Sequence, residues 1–501
     1  MTDVRRGRPA FLPDLDADTR LRASVDRLLR DDYEVDLVMA STLASDWPGD
    51  LAGRLLLSLS RFARAGAPTG DRAAALNEAL LSALEEKGYL GPVRNEISDE
   101  QQVACHGWVV AGLLQHFFVT GDERSKTAAL RVLDELIVPA LRPGDYPWHL
   151  DAQPDAGGPS GTATRVAEGW ALSSDIWCVL LTLNGLVPAA IESGRPDLAH
   201  LIDGLADTVA RLDVRRQGAQ LHAVLAAART LADWAEATGS ASARSTAVAL
   251  YDAYASAGRT LNYATYNWFG RPDSWTEPCA IVDSLGVAMT LFDLTGDARY
   301  RDDATRISRN GLDFAERRDG SFGLDSVATP ENPVMTPIEP DAHWCCTMRG
   351  AVGLLESRET STTLSDGVLT IADPYPGEHR GTDGWVIRQS VAGEYPSARL
   401  DVVAGPAAAG TLAVELVVSG CTSRDTLAPH AGASARVELA FEPRVESVAN
   451  EELVWLGPVL QVGDADNPAA ALVPLTSISG SFERDEHPRV LLAVATGGGV
   501  R

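Results

Sequence analysis

Apolar residues recur every three to four positions through most of the first 360 residues, the spacing that lines one face of a helix. Val110, Leu113, Leu114 and Phe117 run into a polar break, and Leu130, Leu133, Leu136 and Ile137 run out of it. Breaks of this kind return at Thr69-Gly70-Asp71, Thr120-Gly121-Asp122, Ser193-Gly194-Arg195, Thr238-Gly239-Ser240 and Thr295-Gly296-Asp297. Glycine suits the left-handed residue that closes a helix, and at several breaks the next Asp or Ser suits the cap of the following one. The pattern predicts repeated helical hairpins. The glycines lie 51, 73, 45 and 57 residues apart. That irregularity suits a closed barrel with inserted loops better than an open solenoid. Five junctions and one more helix after Cys345 approach six hairpins. The expected fold is therefore a mainly α, (α/α)6 barrel over residues 21–360, behind an N-terminal tail of residues 1–20.

Two stretches break this grammar. From Pro143 to about Gly169 there is no sustained period, and Pro, Gly, Asp and Ser dominate. A long ordered loop in a compact domain is usually functional, and Tyr146, Trp148 and His149 argue against a purely solvated one. It is expected over the barrel mouth. Beyond Thr360 come short apolar or alternating runs: Val368 to Ile371, Leu412 to Val418, Ala435 to Phe441, Leu453 to Val462 and Val490 to Val494. Separated by Gly, Pro and Asp, they predict an all-β C-terminal sandwich over residues 361–501.

Composition narrows the partners. The chain has 501 residues and a formal charge of −26, which argues against nucleic acid and anionic membranes. Arg5, Arg6 and Arg8 are not followed by an apolar segment, so no secretory signal is expected, nor a run of transmembrane length. Six cysteines, two of them adjacent, do not make a disulfide framework. A cytoplasmic protein is the expectation, with a small molecule as partner and a homodimer left open.

The chemistry concentrates at two helix starts. Thr276-Glu277-Pro278-Cys279 precedes an apolar run (Ala280, Ile281, Val282, Leu285, Val287, Met289, Leu291). His343-Trp344-Cys345-Cys346 precedes another (Met348, Ala351, Val352, Leu354, Leu355). Unpaired N–H groups and the dipole at a helix start favour thiolate over thiol. If the two starts meet, Glu277, Cys279, Cys345 and Cys346 would surround one borderline-soft cation, for which Zn2+ is the natural choice. The plainer reading is that buried cysteines act as small hydrophobes; Cys105, Cys178 and Cys421 are assigned to it.

These motifs resemble the β-L-arabinofuranosidase family, glycoside hydrolase family 127. The resemblance takes in Thr276-Glu277-Pro278-Cys279-Ala280 and Trp344-Cys345-Cys346. It also takes in Leu221-His222-Ala223-Val224, Gly296-Asp297-Ala298-Arg299-Tyr300 and Leu456-Gly457-Pro458-Val459. It implies an (α/α)6 barrel followed by β-sandwich domains, with Glu277, Cys279 and Cys346 as zinc ligands. It further implies Cys345 as a zinc-held thiolate that attacks the anomeric carbon in a retaining reaction. His222 matches an active-site histidine that would bind a sugar hydroxyl.

The departures are as informative. The family's general acid/base Glu falls here at about Leu261, and no Asp or Glu occurs between Asp252 and Asp273. An Asn-His-Glu-Leu-Tyr-Cys stretch is replaced by Glu100-Gln101-Gln102-Val103-Ala104-Cys105, with Gln101 kept as a sugar contact. A Gly-His pair is replaced near Ser173-Ser174-Asp175, and two prolines after the cysteine pair are Thr347 and Met348. Asp273, Tyr263 and Tyr266 are the expected substitutes for the acid. Trp268, Trp275 and Trp344 are expected to stack on sugar. The leading function is a zinc-dependent glycosidase acting on a β-L-arabinofuranoside or related small glycoside. The competing ones are a lyase or transferase with the same centre, and a zinc-stabilised binding protein without catalysis.

Overall fold

The computed structural model describes residues 11–16, 18–92, 97–141, 146–150, 160–339 and 345–365, and beyond these most strand residues up to 495. Thirteen helices of nine residues or more among them carry the helical part. They are α1 (Thr19–Leu28), α2 (Val35–Ala44), α3 (Asp50–Arg64), α4 (Gly70–Leu84), α5 (Glu100–Thr120) and α6 (Glu123–Val132). After these come α7 (Leu183–Ser193), α8 (Pro196–Val209), α9 (Leu221–Thr238) and α10 (Ala241–Ala257). The last three are α11 (Pro278–Thr295), α12 (Ala298–Arg306) and α13 (Cys345–Thr360).

The junctions explain the hairpins. Gly121, Gly239 and Gly296 sit at φ +75°, +76° and +69°, where a Cβ would be strained. At each of these three, the preceding threonine hydroxyl accepts the backbone N–H two residues on, at 3.2 Å. Asp122, Ser240 and Asp297 then cap α6, α10 and α12. One expected junction differs: Gly70 begins α4, and Gly66, at φ +96°, supplies the left-handed turn instead.

Helix packing closes on itself. α3 packs on α5, α5 on α7, α7 on α9, α9 on α11, α11 on α13, and α13 returns to α3. Each of these six also carries an outer helix: α4 on α3, α6 on α5, α8 on α7, α10 on α9, α12 on α11, and α1 on α13. The inner helices are buried nearly all round, as a surrounded element must be. Two of them, α5 and α11, are long and apolar enough to cross a membrane by length and composition, contrary to the expectation of no such run. Their apolar windows are 78% and 72% buried inside the protein.

Past α13 the chain is sheet-rich, and the strands Val368–Ile371, Leu412–Val418, Ser434–Glu438 and Val490–Leu491 fall where alternation predicted them. The run from Leu453 to Val462 is two strands, Glu451–Leu456 and Val459–Asp464, turned at Gly457-Pro458. Two segments from earlier in the chain complete these sheets. Phe11–Pro13, within the stretch read as a tail, pairs antiparallel with Gly377–Gly381, and Val334–Met335 pairs with Val490–Leu491. The end of the aperiodic stretch is also regular. Ala163–Ala167 and Trp170–Ser173 form a hairpin, turned at Glu168 and Gly169, both with positive φ.

Candidate active site

The N-termini of α11 and α13 meet. Glu277 is the residue before the first turn of α11, with extended backbone, and Pro278 takes the position where a missing N–H costs nothing. Cys279 follows in that turn, while Cys345 and Cys346 open α13. The carboxylate of Glu277 and the sulfurs of Cys279, Cys345 and Cys346 offer ligand atoms within 4.8 Å of one another. Cys345 is the most exposed of the three cysteines, and all of them are free thiols. Hydrogen bonds from Cys279 and Cys346, with Arg54 and His222 close by, hold the Cys345 thiol well below its usual range against burial. Burial pushes Cys279 up, and the shared hydrogen bonds push Cys346 up.

Behind the cluster lies a charged scaffold inside the helical ring. His222, near the start of α9, sits 3.5 Å from Glu277 through Nδ1 and 3.4 Å from Asp283 through Nε2. Burial works against its charge, but Glu277 and Asp283 overcome this and raise it to about 9. Asp283, one turn beyond Cys279, also accepts from Arg349 at 2.6 Å and from Arg229 at 3.3 Å. Arg229 continues to Glu356 at 2.8 Å, and Arg61 spans Glu356 and Glu359. Arg54 donates to Asp50 at 2.8 Å and to the Cys279 sulfur at 3.6 Å. Its guanidinium lies 4.0 Å from the ring centre of Trp108, which also stacks beside His222.

Cys345, Glu277 and His222 open onto a cavity of about 450 Å³, also lined by Trp47, Asp50, Arg54, Ser160, Gly161, Asp175 and Gln220. This is the volume range of small-molecule sites. The end of the aperiodic stretch does reach it. The Gly161 carbonyl accepts from Trp47 Nε1 at 3.1 Å and from Gln101 Nε2, and Asp175 accepts from Ser160 and Gly161. Gln220 lines the cavity, and its Oε1 is buried without a hydrogen-bond partner.

The other expected site residues lie elsewhere. Asp273 is exposed and paired with Arg271 at 2.8 Å, which holds its carboxyl below the usual range. Tyr263 is buried, held at φ +61°, and its hydroxyl accepts from Arg306 at 2.5 Å beside Trp455. Tyr266 is half-buried and pushed up by burial. Trp268 is buried edge-on against Trp275. None of these five lines the cavity, because the 260–276 segment packs toward the sheets and α9. Gln101 does not line the cavity, and its amide donates to the carbonyl of Gly161, which does. Trp344 falls outside the described residues. Reading along the sequence did not single out Trp47, Asp50, Arg54 or Gln220; the four-residue spacing of Asp50 and Arg54 on α3 was the available signal.

Comparison with solved structures follows this geometry. A GH127 β-arabinofuranosidase superposes with a TM-score of 0.60 at 14% identity, covering 90% of this chain and 82% of its own. Ara127N, a GH127 β-L-arabinofuranosidase from Geobacillus stearothermophilus T6, gives 0.58 at 13% identity, covering 91% and 86%. The fold is that of the GH127 β-arabinofuranosidases. A further structure described as a glycoside hydrolase gives 0.56 at 13%, covering 86% and 80%. No family model matches the chain, and no curated protein matches it in sequence. The GH127 likeness is thus one of architecture, spanning both the helical ring and the sheets.

Proposed function

We propose that this chain is a zinc-dependent, retaining glycosidase acting on a β-L-arabinofuranoside or a related small glycoside, with Cys345 as nucleophile. The convergence of Glu277, Cys279, Cys345 and Cys346, with Glu277 and Cys345 lining a ligand-sized cavity in a GH127-like fold, carries the reading. On this reading the helical ring is an (α/α)6 barrel of residues 21–360, and residues 361–501 form the sandwich. Three sulfurs and one carboxylate are a donor set that fits zinc. Held by those four side chains, zinc would keep the Cys345 sulfur ionised at neutral pH.

The chain's own residues then do the work. Cys345 attacks the anomeric carbon, the leaving oxygen departs, and water later cleaves the thioglycosyl bond with retention. His222, a cation between Glu277 and Asp283, holds the Glu277 carboxylate in place and presents its ring to the cavity, where Gln220 and Trp47 line the space for the sugar.

Two measurements test this. Metal analysis of the purified protein is expected to give one zinc per chain, reduced by Cys279→Ala. Aryl β-L-arabinofuranoside is expected to release its phenol, and Cys345→Ala to lower turnover by about 10³-fold or more with the fold intact. Absence of zinc removes the proposal. The missing acid at Leu261 favours a second reading, a lyase or transferase with the same centre; zinc retained without turnover of any aryl furanoside supports it.

A further inference from the structure

The segment that should bear the proton donor carries none: Leu261 is buried, and Tyr263 is committed to Arg306. Three carboxylates line the cavity beside Cys345, namely Asp50, Asp175 and Glu277. Asp50 is paired with Arg54, and Glu277 belongs to the metal group. Asp175 has neither commitment. Its side chain is 3% exposed, and no cation pairs with it among the described residues. It takes its hydrogen bonds from uncharged donors, Ser160 Oγ at 2.9 Å and Gly161 N at 3.0 Å, and none from the cluster. The backbone holds it rigidly: its N–H donates to Ser173 Oγ at 3.1 Å, and its carbonyl receives Cys178 N at 2.8 Å.

Resting on the glycosidase reading above, we infer that Asp175 is the general acid/base of this site, serving in place of the absent glutamate from a different wall of the cavity. In the first step the Cys345 sulfur forms a bond to the anomeric carbon as the bond to the leaving oxygen breaks. The proton of Asp175 passes to that oxygen. In the second step the Asp175 carboxylate takes a proton from water as the oxygen bonds to the anomeric carbon, and the electron pair returns to sulfur.

The electrostatics agree. Burial, then the charge of Glu277, push the Asp175 carboxyl up to about 7, with Ser160, Gly161 and His222 opposing. The charged groups sharing its cavity are Asp50, Arg54, His222, Glu277 and Cys345. Glu100 is pushed to about 7 as well, but unlike Asp175 it does not line the cavity.

The test compares leaving groups in the zinc-loaded enzyme. Asp175→Asn is expected to lower hydrolysis of methyl β-L-arabinofuranoside by about 10²–10⁴-fold. Its phenol burst from the nitrophenyl glycoside should change far less, because that leaving group needs no proton. Azide is expected to restore turnover of the nitrophenyl substrate and yield glycosyl azide. Asp175→Glu, which keeps the carboxyl, should recover part of the methyl-glycoside activity. Equal loss on both substrates without azide rescue, at unchanged zinc content, overturns the inference. If wild type turns over no glycoside, the glycosidase reading fails by itself. Infrared difference spectra against Asp175→Asn then decide the acid: a protonated carboxyl band near neutral pH supports it, and an ionised group throughout overturns it.

Discussion

Glu356 shows how single side chains hold the floor of the ring. Buried, it accepts from Arg229 at 2.8 Å and Arg61 at 3.3 Å. Burial works against its charge, but Arg229, Arg61 and Arg349 overcome this and lower it to about 2. Its folded pKa lies below the unfolded value, so its stabilisation is complete above about 4.5 and is lost as pH falls toward about 2. Glu356→Gln should lower stability at neutral pH, and this deficit should shrink as the solution is acidified; melting temperatures from pH 7 to 3 check it. Removing one partner leaves the others uncompensated. Asp283→Ala, which takes the carboxylate from Arg349 and leaves Arg229 and His222 with one acidic partner each, should cost about 3–5 kcal/mol in urea unfolding. These pairings join residues up to 295 positions apart, so the sequence pattern shows Arg and Glu on buried helix faces without showing who meets whom.

At the scale of elements, close approach governs. Backbones of α3 and α5 touch where Gly53 faces Gly112: a Cβ on Gly112 would stand 2.4 Å from the Gly53 carbonyl oxygen. Gly112→Ala should therefore destabilise by about 1–3 kcal/mol. Gly204→Ala on α8, where a Cβ meets nothing within 4 Å, is expected to be neutral or to stabilise by up to about 1 kcal/mol. Urea unfolding of both variants separates packing from helix propensity. The helices and their junctions were legible because caps, left-handed glycines and the 3.6-residue period are local properties. Gly70 was misassigned because two glycines four residues apart both fit a cap, and the backbone uses Gly66. The hairpin Ala163–Ser173 pairs locally, and its second strand also pairs with Ser98–Asp99, a contact distant in sequence.

Across the whole molecule, Asn310 joins the helical ring to the sheets. Its amide donates to the Pro458 carbonyl at 2.9 Å and accepts from Leu460 N at 2.8 Å, all of it buried. Arg309 holds Asp373, and Ser308 meets the Tyr375 hydroxyl at 2.6 Å nearby. Asn310→Ala should cost about 1–3 kcal/mol and raise amide exchange in Val459–Asp464 ahead of α9. The strand Phe11–Pro13 adds a second tie from the opposite end of the chain.

What the sequence alone determined is the run of helices, the change to strands after Thr360, and two motifs, Glu-x-Cys and Cys-Cys, whose donors suit one cation if they meet. Each depends on neighbours within a turn or two, or on donor types that suit one cation. Only the tertiary structure decided which groups share the cavity with Cys345. Closing the ring carries Asp50 and Arg54 from α3, Asp175 from the turn before α7 and Gln220 from the start of α9 to one place. It also directs Asp273 into solvent and Tyr263 toward the sheets. Proximity across a closed ring of helices is set by packing, and no spacing along the chain encodes it.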